Sequence, residues 1–187
     1  MPDAPTHLLD AGLELVADHG MDALTHGAVD AAGGVPAGST QQSFPTRHAL
    51  VEGVTVRCIE RELEMASGDG AEVEASPEGL ARAFGQFVRR ALGEHRAVTF
   101  ARYALHAEAA RVPALRGLYA VGADEVDTWA LDLVHRAGSQ NPERDLGILA
   151  NYATGLVFHE LALPTPGLDA TARVRAVIDA LGWATDE

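Results

Sequence analysis

The segment THGAVDAAGGVPAGSTQQSFPTRHAL, Thr25 to Leu50, reads as two very short helices around a glycine turn, with a third helix following at once. Thr25 caps the first, because a threonine hydroxyl accepts one of the backbone N–H groups that a helix start leaves without a partner. Ala28, Val29, Ala31 and Ala32 form its apolar side. Gly33-Gly34 ends it, since glycine takes a positive φ without a Cβ clash. Pro36 suits the first turn of the next helix, where its missing N–H costs nothing. Phe44 closes that helix with a large apolar anchor, and Thr46 caps the one that follows Pro45. Two short helices about a glycine turn fit a helix-turn-helix, whose second helix, here about Pro36 to Ser43, is presented to a DNA major groove. Spacing alone fits an ordinary helical hairpin in a bundle equally well.

Working outward, Leu8 to Gly53 resembles the DNA-binding domain of the tetracycline-repressor (TetR) family of bacterial regulators. The matching features are a first helix followed by His19-Gly20-Met21, the Thr25 start, the Gly34-Val35 turn, a short helix ending in Phe44, and Thr46-Arg47 leading into Ala49-Leu50. The resemblance implies an all-α protein with two parts. Residues 1–50 would be the helix-turn-helix head, and residues 51–187 a helical ligand-binding and dimerisation domain. It also implies a homodimeric transcriptional regulator, usually a repressor, whose operator DNA binding responds to a small effector. Departures accompany the match. Family members usually carry a tyrosine near the end of the reading helix and a His or Tyr just before the phenylalanine. Those places hold Gln41 and Ser43 here, and Gly27 stands where an arginine is frequent.

Formal net charge is −13, and every basic residue is an arginine. Such a balance disfavours a general polyanion or membrane-surface binder, although a local site of opposite sign is compatible with it. Before Val51 the sole Arg or Lys is Arg47, against Asp3, Asp10, Glu14, Asp18, Asp22 and Asp30. Duplex affinity rests largely on neutralised phosphates, so weak DNA binding is expected unless His7, His26, His48 or helix N-termini compensate. The single cysteine, Cys58, excludes an intramolecular disulfide and suits a reducing compartment. Its place in a helical run predicts a buried small hydrophobe. Met1 to Asp10 has neither a basic start nor an apolar core, and no apolar run approaches a membrane span, so a cytoplasmic location is expected.

Helical periodicity runs along the whole chain, without any need for a β-strand. Helices are expected at about Thr6–His19, from Arg47 past Leu63, from Ser76 past Ala91, at Arg96–Arg111, Pro113–Ala137, Glu143–Leu163 and Asp169–Leu181. The acidic, glycine-containing stretch Ser67 to Glu74 reads as a solvated loop. The eighth helix carries Leu146, Leu149, Ala150, Ala153, Leu156, Val157 and Leu161 around much of its circumference, with Gly155 as a place of close approach. A wide apolar surface normally marks association. In the resembled family the last two helices pack against their twins, which predicts a homodimer here; a fully buried central helix in a monomer is the other reading.

For DNA, Ser39, Thr40, Gln41, Gln42 and Ser43 lie on the reading helix; glutamine can hold adenine N6 and N7 at once. Thr25, His26, Thr46 and Arg47 would contact phosphates, positioning the head without reading sequence. For a ligand, Phe84, Phe87, Phe100, Tyr103, His106, Trp129, Tyr152, Phe158 and His159 fall on helices five to eight, where the resembled family keeps its effector cavity. Many apolar walls with few polar groups suit a small apolar or aromatic molecule, though such a stripe also fits plain core packing. No cofactor, metal site or catalytic motif is expected. His106-x-Glu108 and His159-Glu160 lack the i, i+4 spacing that aims two ligands at one ion, and neither P-loop nor nucleophile elbow occurs. The alternative to a regulator is a ligand binder of the same fold that has lost DNA, serving as a metabolite binder or, last in rank, as an acid/base enzyme through His106 or His159.

Overall fold

The computed structural model describes residues 4–67 and 73–183, with the side chains of 4, 66, 67 and 121–129 set aside. Among the described residues every regular element is a helix: α1 (Ala4–His19), α2 (His26–Ala32), α3 (Ser39–Ser43), α4 (Arg47–Ser67), α5 (Pro77–Leu92), α6 (Arg96–Ala109), α7 (Pro113–Arg136), α8 (Pro142–Ala162) and α9 (Ala170–Leu181). A single 3-10 turn, Met21–Ala23, links α1 to α2. The expected helices are all present. Caps set their starts where the residues indicate: Thr25 Oγ1 accepts from Ala28 N at 3.3 Å, Thr46 Oγ1 from Ala49 N at 3.0 Å, and Ser76 Oγ from Gly79 N at 3.0 Å. Of the loop expected at Ser67–Glu74, residues 68–72 lie outside the described residues.

One start differs. α3 begins at Ser39, not Pro36, because Gly38 sits at φ 90°, a left-handed conformation that no helix passes through. Pro36 belongs to the preceding turn, and its carbonyl accepts from Ser39 N at 3.1 Å and Ser39 Oγ at 2.6 Å.

The chain forms two compact units, one of residues 1–64 with 95–122 and the other of 65–94 with 123–187. In the first, α1 packs along α6, and a core of Leu8, Leu13, Val16, Leu24, Val29, Leu50, Val54, Leu105 and Leu115 is closed to solvent. Cys58 belongs to that core and is fully buried, as its helical position indicates. Arg57 ties α4 to α1 by gripping Asp10 through Nε at 2.8 Å and Nη2 at 3.3 Å.

In the second unit α5 packs against α8 and, most extensively, α9, around Leu80, Leu133, Val134, Leu149, Val174 and Ile178. The α5–α9 approach is close because α5 carries Gly85: a Cβ there would meet Thr171 N and Cα at 2.9 Å. Asp145, buried at the start of α8, accepts from Ser139 Oγ at 2.6 Å and Trp183 Nε1 at 2.8 Å, fastening the second residue past α9 to the α7–α8 turn. Gly85→Ala should therefore push α9 off α5 and cost about 1–3 kcal/mol, a loss of several degrees in the thermal midpoint measured by circular dichroism.

Candidate nucleic-acid interface and effector residues

α3 has only five residues, too few to hold itself together in water, so its geometry comes from what grips it. The grip comes from α2. Asp30 Oδ1 accepts from Thr40 N at 2.8 Å and Thr40 Oγ1 at 2.6 Å, while Oδ2 accepts from Gly38 N at 2.7 Å. These bonds, led by the Thr40 hydroxyl, hold the Asp30 carboxyl below the usual aspartate range despite its burial. At the other end of α3, His26 Nε2 donates to the Phe44 carbonyl at 2.7 Å.

This arrangement corrects the expectation for Thr40. Thr40 is 0% exposed and its polar groups face Asp30, so it is a buried tie and cannot reach a base. Gln41, Gln42 and Ser43 are exposed, and Ser39 is half-buried with its hydroxyl on Pro36. Thr25, Thr46 and Arg47 are exposed around them. The two threonine hydroxyls accept from helix N–H groups and keep their own protons for donation. Arg47 Nη2 reaches Met21 O at 3.0 Å. The compensating histidines are engaged elsewhere. His7 Nε2 bonds Gly33 O at 2.8 Å, His26 holds Phe44, and His48 Nε2 lies 3.2 Å from Glu52.

The acidity of this half does not cover the exposed face of α3. α3 carries no carboxylate, Asp30 is internal, and Asp10 is paired with Arg57. Among the described residues before Val51, the carboxylates left exposed are Glu14 and Asp18 on α1 and Asp22 in the 3-10 turn. A polar cleft of about 600 Å³ runs beside that turn, bordered by Asp22, Arg47, Glu108 and Arg111. None of the described residues expected to line an effector cavity borders it.

Those effector candidates divide between the units. In the second, Phe84 and Tyr152 pack on the core, Phe87 is half-buried, and Phe158 stands 59% exposed on α8 with His159 exposed beside it. Phe158 is thus a surface residue, since it lies on the α8 face turned away from Leu149, Ala153 and Val157. His159 Nδ1 is 3.7 Å from Glu160, yet that buried carboxylate already accepts from Thr165 N at 2.6 Å and Thr165 Oγ1 at 2.8 Å. In the first unit Phe100 is exposed with the Arg96 guanidinium 5.0 Å from its ring centre, and Tyr103 lies under Arg102 at 5.5 Å. The side chain of Trp129 lies outside the described residues.

His106 leads to a polar cluster that sequence reasoning missed. Its Nδ1 donates to Arg102 O at 2.9 Å, and its ring meets that of Tyr119 with centres 4.1 Å apart. Partial burial lowers its pKa, so it is neutral at pH 7. Arg102 Nε lies 3.2 Å from Glu62, and Cys58 Sγ donates to the same carboxylate at 3.4 Å. Burial raises both the Glu62 carboxyl and the Tyr119 phenol. Tyr119 Oη is buried with no hydrogen-bond partner among the described residues. Tyr119 shares α7 with many apolar neighbours, and the residue pattern gives it no signal of its own. Glu108 pairs with Arg111 at 2.9 Å, and among the described residues no group of three metal-ligating side chains converges.

Residues 75–182 match the family model described as the tetracyclin repressor-like C-terminal domain. The chain belongs to the TetR-like family. Solved structures agree with its fold over nearly the whole length. Against a transcriptional regulator from Rhodococcus sp. Rha1 the TM-score is 0.81 at 20% identity, covering 98% of this chain and 100% of that one. Against a TetR-family member from Streptomyces coelicolor A3 it is 0.71 at 25% identity, covering 96% and 98%. Against the multidrug binding protein EbrR in complex with ethidium it is 0.70 at 26% identity, covering 95% and 97%. No curated protein sequence matches. No described helix of this TetR-like chain is long and apolar enough to cross a membrane.

The sign of the pH dependence at the head follows from Asp30. Its folded pKa lies below the unfolded value, so its contribution is present above the ordinary aspartate range and fades as pH falls through the folded value. Urea unfolding should show wild type more stable than Asp30→Asn at pH 6, with the gap narrowing below about pH 4.

Proposed function

We propose that this TetR-like chain is a cytoplasmic repressor whose head, residues 1–50, reads an operator and whose body, residues 51–187, binds a small effector and a second copy. The observation that carries the reading is the exposed row Gln41, Gln42 and Ser43 on a braced α3 that bears no carboxylate. Each glutamine can present a donor and an acceptor to an adenine edge. Thr25, Thr46 and Arg47 flank the row as phosphate contacts.

Dimerisation is supported by α8. Ile148, Phe158 and Leu163 are 39%, 59% and 66% exposed, and the positions of Gly147 and Gly155 face open space. Ile148, Gly155 and Phe158 recur at helical spacing as one apolar stripe. A twofold pair of such stripes would give two heads for half-sites about one helical turn apart.

The effector half of the proposal rests on Tyr119. A buried phenol without a partner costs about 1–3 kcal/mol, a cost that a ligand acceptor would remove. Glu62, in the same cluster, lies on α4, which begins at Arg47 in the head. A ligand that prefers one placement of α4 would therefore bias how the head meets DNA. EbrR, whose structures include ethidium and proflavin complexes, makes planar aromatic compounds the first effectors to try. A second reading, a ligand binder without DNA, is favoured by the single Arg or Lys ahead of Val51.

Selection of duplexes from a random-sequence library at low salt separates the two. The expected result is a retained consensus whose affinity falls about tenfold in Gln41→Ala or Gln42→Ala. With one arginine per head, the slope of log K against log salt should be shallow, about −2 for a dimer. Failure to enrich any duplex would leave the ligand-binder reading standing.

A further inference from the structure

We propose that Asp30 and His26, one turn apart on α2, are positioning residues that set the angle at which α3 is offered to DNA, with Thr40 as the necessary counterpart of Asp30. The proposal rests on the DNA-reading role above and adds the residues that make that role specific.

The argument starts from what α3 lacks. A five-residue helix has no internal hydrogen-bond ladder to speak of, and its first N–H groups need outside acceptors. Asp30 supplies both oxygens to them, at 2.7 Å for Gly38 and 2.8 Å for Thr40, and takes the Thr40 hydroxyl at 2.6 Å as well. Bonds to an ionised carboxylate are shorter and stronger than neutral ones, and a buried carboxylate is tolerated only when so surrounded. His26 fixes the other end by donating to Phe44 O at 2.7 Å. α2 therefore grips α3 at both ends by side chains four residues apart, which places both on one helix face.

The electrostatics of the head give the grip its meaning. α3 carries no arginine or lysine, so no charged phosphate contact of its own orients it in the groove. The Gly38 and Thr40 amides already point at Asp30 and are closed to a phosphate. The angle of Gln41 and Gln42 is then set from inside the protein. Phosphate contacts from Thr25, Thr46 and Arg47 do not pass through this brace. Weakening it should damage sequence reading far more than general DNA affinity.

The test compares wild type, Asp30→Ala, Asp30→Asn and Thr40→Val on two probes, a duplex selected by the wild type and poly(dI-dC). Amide hydrogen exchange at Gly38 and Thr40 is followed against Val54 and Leu105. Asp30→Ala should weaken the selected duplex about tenfold or more while poly(dI-dC) changes less than about twofold. Its Gly38 and Thr40 amides should exchange faster, with Val54 and Leu105 unchanged. Asp30→Asn, whose amide oxygen still faces the Thr40 donors, should recover part of the selectivity. Should Asp30→Ala unfold the head, Thr40→Val, which removes only the hydroxyl, should still lower selectivity by about threefold. Equal losses on both probes, or an unchanged ratio in every variant, would overturn the proposal while leaving the DNA-reading role intact. A wild type that selects no duplex would overturn the reading role and this inference with it, whatever the exchange rates show.

Discussion

Asp30 stands near the end of a seven-residue helix, buried, and accepts three hydrogen bonds from the first turn of a five-residue one. Neither helix is long enough to persist alone. The carboxylate converts the pair into one body, because separating them would strand a buried charge with no donors. The exposure of Gln41, Gln42 and Ser43 follows: with Thr40 turned inward by its bond to Asp30, the neighbouring positions on so short a helix must face out. The exposed polar face of α3 is thus a consequence of an interior interaction.

The same device recurs through an acid-rich chain that has no lysine. Asp145 gathers Ser139, Arg144 and Trp183, and Glu160 closes the turn after α8 through Thr165. Each of these carboxyls sits below its usual range because hydrogen bonds outweigh the burial that opposes them. Glu62 is the exception: burial dominates and its carboxyl is raised, although Arg102 lies beside it. Where the first group fixes turns and short helices, Glu62 stands in a less well satisfied cluster with the Tyr119 phenol. This cluster is therefore less completely hydrogen-bonded than the carboxylate-centred turns elsewhere in the chain.

Helix number, order and most boundaries were legible in the residues, because caps such as Thr25, Thr46 and Ser76 and breakers such as Gly33-Gly34 act within a few positions of themselves. Family membership was legible for the same reason, through a compact local motif. What escaped were contacts made across space. Asp30 counts in the sequence as one more repulsive charge, and only its meeting with Thr40, ten residues on, removes it from the surface. Thr40 looked like a base reader for lack of that partner. Pro36 looked helical because a proline suits a first turn, whereas the positive φ of Gly38 moved the start to Ser39. The apolar periodicity of α8 could not separate an inward Leu149 from an outward Phe158, since both are hydrophobic and only packing assigns their sides. Tyr119 carried no signal beyond its apolar surroundings.

The central claim is that the exposed residues of a braced α3 meet DNA. Its most direct measurement is a titration of the isotopically labelled full chain with short duplex DNA, read residue by residue in amide and side-chain NH2 spectra. The account predicts that Gln41 and Gln42 side-chain amides and the backbone of Ser43, Thr46 and Arg47 shift together and saturably, while Leu105 and Leu149 in the two cores stay put. Shifts confined to other surfaces, or none at low salt, would contradict it.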